Sequence, residues 1–199
     1  RLVEGLNTSN LVIAGLDVGR KKHPSAFEVF EIKDGKAIQI HRKIMRGWKY
    51  YSGKSFDPLH PTQVEYCREA IKNFGIGYLY FDATRGEFLG AEDSGLLSMH
   101  FIPIVFVPKM RVQMATDFEK AVINKQVELL DDEDMLNSIC SVTNDLLSIE
   151  TATGTHGDEF WAIALALIGF SKFGASGKVD KEIRVGSPSI FDKKIPRGW

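Results

Sequence analysis

The chain has 199 residues, 44% of them hydrophobic and 26% charged, with a formal net charge of −1. That is enough for one domain with a core of its own and is ordinary for a soluble globular protein. The longest strongly apolar run, FWAIALALIGF, is far too short to span a bilayer, which argues against a membrane protein.

The balanced total conceals an uneven spread. From Asp17 to Lys54 there are ten Lys or Arg against four Asp or Glu, whereas Gln126 to Ser171 holds nine acids and no Lys or Arg. Nucleic acid could use the first region. Cys67 and Cys140 have no metal-type or redox spacing and read as reduced packing residues. No signal peptide precedes the fold, and the opening at Arg1 rather than Met suggests a fragment of a longer protein.

Residues 1–10 read as a lead-in or linker. Leu11 to Asp17 is almost wholly apolar, as a central strand covered on both faces would be. A second strand is predicted from Ser25 to Ile32, an Asp34-Gly35 hairpin turn, and a third strand from Ala37 to Met45, with Ile38, Ile40 and Ile44 on one face. RGWKYYSGKSFDPLHP reads as a flexible loop. Thr62 to Phe74 has helical spacing in Val64, Cys67, Ala70, Ile71 and Phe74, and Gly75 stops it. YLYFD, residues 78–82, is a fourth strand, again ending in an aspartate. A helix of modest quality follows from Gly86 to Met99. Phe101 to Val107 is a fifth strand, which Pro103 assigns to a sheet edge. Helices are predicted over Met110–Asn124, Asp132–Cys140 and His156–Phe173, with a small hairpin from Val142 to Glu150 around Asn144-Asp145. Residues 174–199 read as an extended or mobile tail.

This order predicts an α/β fold with a mixed sheet of five or more strands, antiparallel in strands one to three, with helices on both faces. A crossover helix lets strand four lie parallel to strand one. Asp17 and Asp82 are then neighbours at one sheet end, since adjacent strands lie about 4.8 Å apart.

A third acid belongs with them. In GTHGDEFWAIALAL, Asp158 stands in the first turn of a helix that is apolar almost all round and must pack on the sheet. Taken alone, each acid has an ordinary explanation. Thr155 and Asp158 have capping-box spacing, and an acid there stabilises a helix by up to about 1 kcal/mol. Asp17 and Asp82 could be strand-end turn residues. Together they are harder to explain, because two like charges about 5 Å apart repel by roughly 3 kcal/mol at an effective dielectric near 20. A hard divalent cation, Mg²⁺ or Mn²⁺, offsets that cost and prefers such oxygen ligands. Two such ions would support phosphodiester hydrolysis with no protein nucleophile.

GLDVG with its hairpin, YLYFDATRGE and HGDEFWAIALAL resemble the nuclease domain of the large terminase subunit of tailed bacteriophages, over about residues 8–173. The resemblance implies a ribonuclease H-like fold in residues 11–173. It implies an endonuclease that cuts concatemeric viral DNA during packaging, in the cytoplasm of the infected host. Asp17, Asp82 and Asp158 would be the catalytic, metal-ligating trio for Mg²⁺ or Mn²⁺, two ions per site. The partners implied are double-stranded DNA, a preceding ATPase motor domain, the portal protein and the small terminase subunit. A glycine often follows the second acid closely in the family; here the order is Asp82-Ala83-Thr84-Arg85-Gly86.

Arg20, Lys21, Lys22 and His23 come directly after the Asp17 strand and are candidates for phosphates beside the scissile one, as are Arg85, Lys109 and Arg111. Their ordinary reading is a solvated surface; Arg42, Lys43, Arg46 and Lys49 on the third strand and its exit read as a DNA-facing rim or merely surface. Glu159 points about 100° away from Asp158 and ranks behind it, and His156 reads as a helix-start residue. Gly47 and Gly53 enclose five residues where a phosphate-binding loop wants four, so no ATP site is assigned. Trp48, Tyr50 and Tyr51 read as packed loop aromatics or DNA contacts. The acidic run from Asp131 to Asp134 reads as a helix N-terminus and solvated surface.

Other ribonuclease H-like nucleases, such as a Holliday-junction resolvase, share these acids. A non-catalytic module docking on the portal or DNA is the second alternative. An actin- or sugar-kinase-like phosphotransferase normally needs two such domains, for which this chain is too short.

Overall fold

The computed structural model describes residues 8–19, 23–147 and 156–173. The element order is β1 (Leu11–Asp17), β2 (Ser25–Lys33), β3 (Lys36–Met45), α1 (Gln63–Phe74), β4 (Ile76–Asp82), α2 (Leu89–Asp93), β5 (Phe101–Ile104), α3 (Pro108–Ile123), β6 (Val127–Glu128), α4 (Glu133–Cys140) and α5 (Asp158–Phe173). The strands form one six-stranded mixed sheet in the order β5-β4-β1-β2-β3-β6. Strands β1, β2 and β3 are antiparallel neighbours, and β4 lies parallel to β1. This is the ribonuclease H-like arrangement expected from the sequence.

Local chemistry explains most boundaries. Asp34 and Gly35 both have positive φ, 51° and 73°, as a two-residue hairpin turn requires. Gly75 ends α1 in the left-handed conformation, its N–H reaching the Ile71 carbonyl. Pro103 is tolerated because β5 is an edge strand.

Side-chain alternation sorts the core into two layers. On one face of the sheet, Val12, Ala14 and Leu16 of β1 join Leu79 and Phe81 of β4 under α1 and the short α2. On the other, Ile13 and Tyr80 meet α3, α4 and α5. Asp17 has the parity of Ile13 and Gly15, and Asp82 the parity of Tyr80. Both acids therefore continue the face that carries α5.

Several expectations need correcting. The helix predicted over residues 86–99 shrinks to Leu89–Asp93, and β5 ends at Ile104 rather than Val107. The two-residue β6 was not anticipated. Around Asn144-Asp145 a turn forms, closed by Thr143 N–H to the Leu147 carbonyl at 2.8 Å and Leu146 N–H to the Thr143 carbonyl at 2.8 Å, and the second arm of the expected hairpin, residues 148–150, lies outside the described residues. The reading of both cysteines as packing residues holds for Cys67 alone, because Cys140 is exposed. The loop after β3 is tied down rather than free. Glu65 accepts the backbone N–H groups of Ser52 and Gly53 at 2.9 and 2.7 Å, so those amides are already satisfied. Trp48, Tyr50 and Phe56 pack on the first core layer. The described end of the lead-in, residues 8–10, is anchored too: Thr8 and Asn10 donate to Glu31 at 2.6 and 2.8 Å. No helix among the described residues is long and apolar enough to cross a membrane. The tail at 174–199 lies outside the described residues.

Candidate metal centre

One glycine brings α5 onto the sheet. A Cβ at Gly15 would stand 1.9 Å from the carbonyl oxygen of Ala162 and 2.6 Å from the amide nitrogen of Ala166. Helix and strand thus touch backbone to backbone. Gly169 in turn packs against Ile13 and Tyr80, so α5 runs antiparallel to β1. From Gly15 to Asp17 is two strand residues, about 6.6 Å. From Ala162 back to Asp158 is one helical turn, about 6 Å. Asp158 therefore arrives abreast of Asp17. On the other side, the β1–β4 register runs to Leu16 opposite Phe81, and its next step sets Asp17 beside Asp82.

All three acids line one cavity of ≈ 310 Å³, together with Val18, Gly19, His23, Thr84, Arg85, Phe106, Arg111, His156 and Trp161. Larger cavities exist elsewhere; one of ≈ 630 Å³ between α2 and β5 has an apolar lining and adjoins this one through Thr84 and Arg85. Chemistry selects the smaller, polar one.

Electrostatics single out Asp17. Burial lifts its carboxyl well above the ordinary 3.8, and the charges of Asp158 and then Asp82 lift it further, against smaller opposing effects of Arg111 and Arg85. Burial also raises Asp82, which the Thr84 hydrogen bonds partly offset. Burial raises Asp158 as well, against a hydrogen bond from the His156 backbone. Each acid is thus a desolvated carboxyl, and Asp17 has the charges of the other two at hand.

The supporting contacts orient these groups. Asp82 Oδ1 accepts the Thr84 N–H at 2.8 Å and the Thr84 hydroxyl, and Thr84 Oγ1 accepts the Phe106 N–H at 2.8 Å. This locks the β4 exit to the β5 exit. Asp158 Oδ2 accepts the His156 N–H at 3.3 Å, so the helix-start role also holds; Thr155, the other half of the expected capping box, lies outside the described residues. Arg111 lies over the Trp161 ring at 4.6 Å and donates to the Leu146 carbonyl at 2.6 Å. His23 and His156 meet edge to face with centroids 4.7 Å apart. Gly19 N–H donates to Ser25 Oγ and Ser25 Oγ–H to Gln63 Oε1, both at 2.9 Å, which ties the exit of β1 to the start of β2 and to α1.

The donor set suits a hard cation: three carboxyls raised by burial, Asp17 further by the charges of the other two, beside Arg85 and Arg111. Among the described residues no three His, Cys, Asp or Glu side chains are gathered tightly enough to grip an ion as they stand. An open, shared cavity of this kind fits Mg²⁺, which keeps several waters and takes only one or two carboxylates directly, better than a closed all-protein cage.

The other expected site residues divide. His23, Arg85 and Arg111 line the cavity; Lys109, in the first turn of α3, is exposed and does not. Arg20, Lys21 and Lys22 lie outside the described residues. Glu159 turns away from Asp158 as expected, but it is 1% exposed and paired with Arg42. Arg42 is therefore not a simple surface cation, and Asp132 of the acidic run is more than solvated surface: it caps α4 and pairs with the same arginine. Thr84 and Trp161 were missed as cavity residues. The Asp-x-Thr spacing at 82–84 is an Asx-turn signal that could have found Thr84.

No family model matches the chain, and no curated protein does. Solved structures do. The large terminase nuclease from thermophilic phage G20c matches with a TM-score of 0.64 and 18% identity, over 83% of this chain and 86% of that one. The same nuclease with bound magnesium gives 0.61 and 18%, over 82% and 84%. The large terminase of bacteriophage HK97 gives 0.56 and 15%, over 86% of this chain but 40% of that one. At such identities the likeness establishes the shared fold.

Proposed function

We propose that this domain is a divalent-metal-dependent DNA endonuclease, the nuclease part of a phage large terminase, which hydrolyses phosphodiester bonds of concatemeric viral DNA during genome packaging. One observation carries the reading: Asp17, Asp82 and Asp158, far apart in sequence, line one cavity at the strand ends of a fold shared with terminase nucleases. A bound magnesium in one of those neighbours supports a divalent metal here.

Asp17, Asp82 and Asp158 would hold Mg²⁺ or Mn²⁺, two ions per site. Such ions supply the activation of water and the stabilisation of the leaving oxygen. The chain's own residues do the rest. Thr84 fixes the direction of Asp82, and the His156 N–H that of Asp158. Arg85, Arg111 and His23 face the cavity where a phosphodiester backbone would pass, with Lys109, Arg20, Lys21 and Lys22 as outer phosphate contacts. Backbone contacts carry no base code, so sequence preference is weak. The same reading gives the setting: host cytoplasm, an ATPase motor domain in the same polypeptide, and the portal and small terminase subunit as partners.

Supercoiled plasmid tests this. With Mn²⁺ or Mg²⁺ the domain nicks and linearises it. EDTA abolishes cutting, and Asp17→Asn, Asp82→Asn and Asp158→Asn each reduce it by more than about 100-fold. A folded wild-type domain that cuts nothing under any divalent ion would leave a docking module as the better reading; cutting confined to four-way junctions would favour a resolvase.

A further inference from the structure

We infer that Arg42 is the positioning residue for Asp158: it locks the first turn of α5 to the sheet and to α4, and so sets the direction in which Asp158 meets the metal. The inference rests on the metal-ligand reading of the acids. Simple alternation puts Arg42 with Ile38, Ile40 and Ile44. The β2–β3 register breaks it, stepping from Phe30 opposite Gln39 to Val29 opposite His41, with Ile40 as the extra residue. This bulge reverses the parity of the rest of the strand. Arg42 therefore lands on the face of Gln39, toward α4 and α5.

There the Arg42 side chain is 20% exposed, and its guanidinium bridges Glu159 of α5 and Asp132 at the N-cap of α4. Glu28, fully buried and opposite Arg42 in the register, accepts from the Gln39 amide. Gln39 Oε1, the side-chain amide oxygen, in turn accepts the Leu130 N–H at 2.9 Å. Arg42 thus pairs with Glu159 of α5 and with Asp132 at the α4 N-cap, and its charge also acts on Glu28 of β2. A buried ion cluster of this kind is weak evidence for stability, since well-packed apolar residues often do as well. What it specifies is geometry. Glu159 is the next residue after Asp158, and each residue turns the helix by about 100°. Holding the Glu159 carboxylate fixes the rotation of that first turn, and with it Asp158.

Three variants test this: Arg42→Ala, Arg42→Lys and Asp132→Asn, the last keeping a capping side chain without its charge. The measurements are Mn²⁺ affinity by calorimetry without DNA, amide hydrogen exchange of Phe160–Ala162 without metal, and DNA affinity against salt in EDTA. Arg42→Ala is expected to weaken Mn²⁺ binding about 10- to 100-fold, to deprotect the first turn of α5, and to leave DNA affinity within about twofold. Arg42→Lys recovers part of the loss, and Asp132→Asn shows a smaller loss of the same sign. If Arg42→Ala does not fold, the other two carry the test, and wild-type Mn²⁺ affinity in both overturns the role. Unchanged Mn²⁺ affinity with weaker DNA binding and a salt slope shallower by about 1 makes Arg42 a phosphate contact instead. A wild-type domain that takes up no Mn²⁺ removes the metal reading itself and this role with it; normal uptake by Arg42→Ala removes the role alone.

Discussion

Asp17 carries the largest electrostatic burden in the cavity, and its cause is specific: burial first, then Asp158, then Asp82. A carboxyl raised in the folded state binds more protons folded than unfolded at pH values above its ordinary 3.8. Metal-free stability therefore falls as pH rises through the carboxylate range and toward the raised value. Asp17→Asn removes that burden. Thermal melts in EDTA near neutral pH are expected to show the variant more stable than wild type, by on the order of 1 kcal/mol. The gain disappears at pH values low enough to protonate Asp17 in both states. A variant both inactive and more stable marks a residue kept for chemistry rather than for folding; one that melts lower than wild type near neutral pH would give Asp17 a structural role. At this scale the acids were legible because each stands at the end of an apolar run. Arg42 was not legible, because a one-residue bulge at Ile40 inverts the alternation and no local signal marks it.

The element that matters most is α5, and its docking depends on small residues. Ala162, Ala166 and Gly169 meet Ile13, Gly15 and Tyr80, and at Gly15 the helix backbone fills the space a side chain would need. Gly15→Ala must push α5 outward. Urea unfolding is expected to show a loss of about 3 kcal/mol, and metal-dependent cutting should fall with it because Asp158 moves away from Asp17. A change within about 0.5 kcal/mol would contradict the close packing. The apolar character of α5 and of β1 was plain in the sequence, but the contact between them was not: a glycine inside a strand says that something approaches, not what. Propensity also misjudged residues 86–99, where Gly86, Gly90 and Gly95 leave only five residues helical. It missed β6, whose two residues are strand only because β3 offers them a partner.

For the whole molecule, topology does the work that no segment does alone. Parallel β1 and β4 bring two strand-end acids side by side, and antiparallel α5 returns a third from the far end of the fold. The strand directions and the trio could be read in advance because they rest on apolar runs, a crossover helix and element-end positions. The supporting groups, Thr84 for Asp82 and Arg42 with Asp132 for α5, arise from tertiary contacts between residues up to 117 apart in sequence. Part of the charge asymmetry is met the same way, since Arg42 of the basic segment pairs with Asp132 and Glu159 of the acidic one. The measurement that bears most directly on the central claim is anomalous diffraction from crystals of the domain soaked in Mn²⁺. Manganese peaks are expected in the cavity, coordinated by carboxylate oxygens of Asp17, Asp82 and Asp158. Manganese absent from that cavity at full soaking concentration, or bound only elsewhere on the protein, would contradict it.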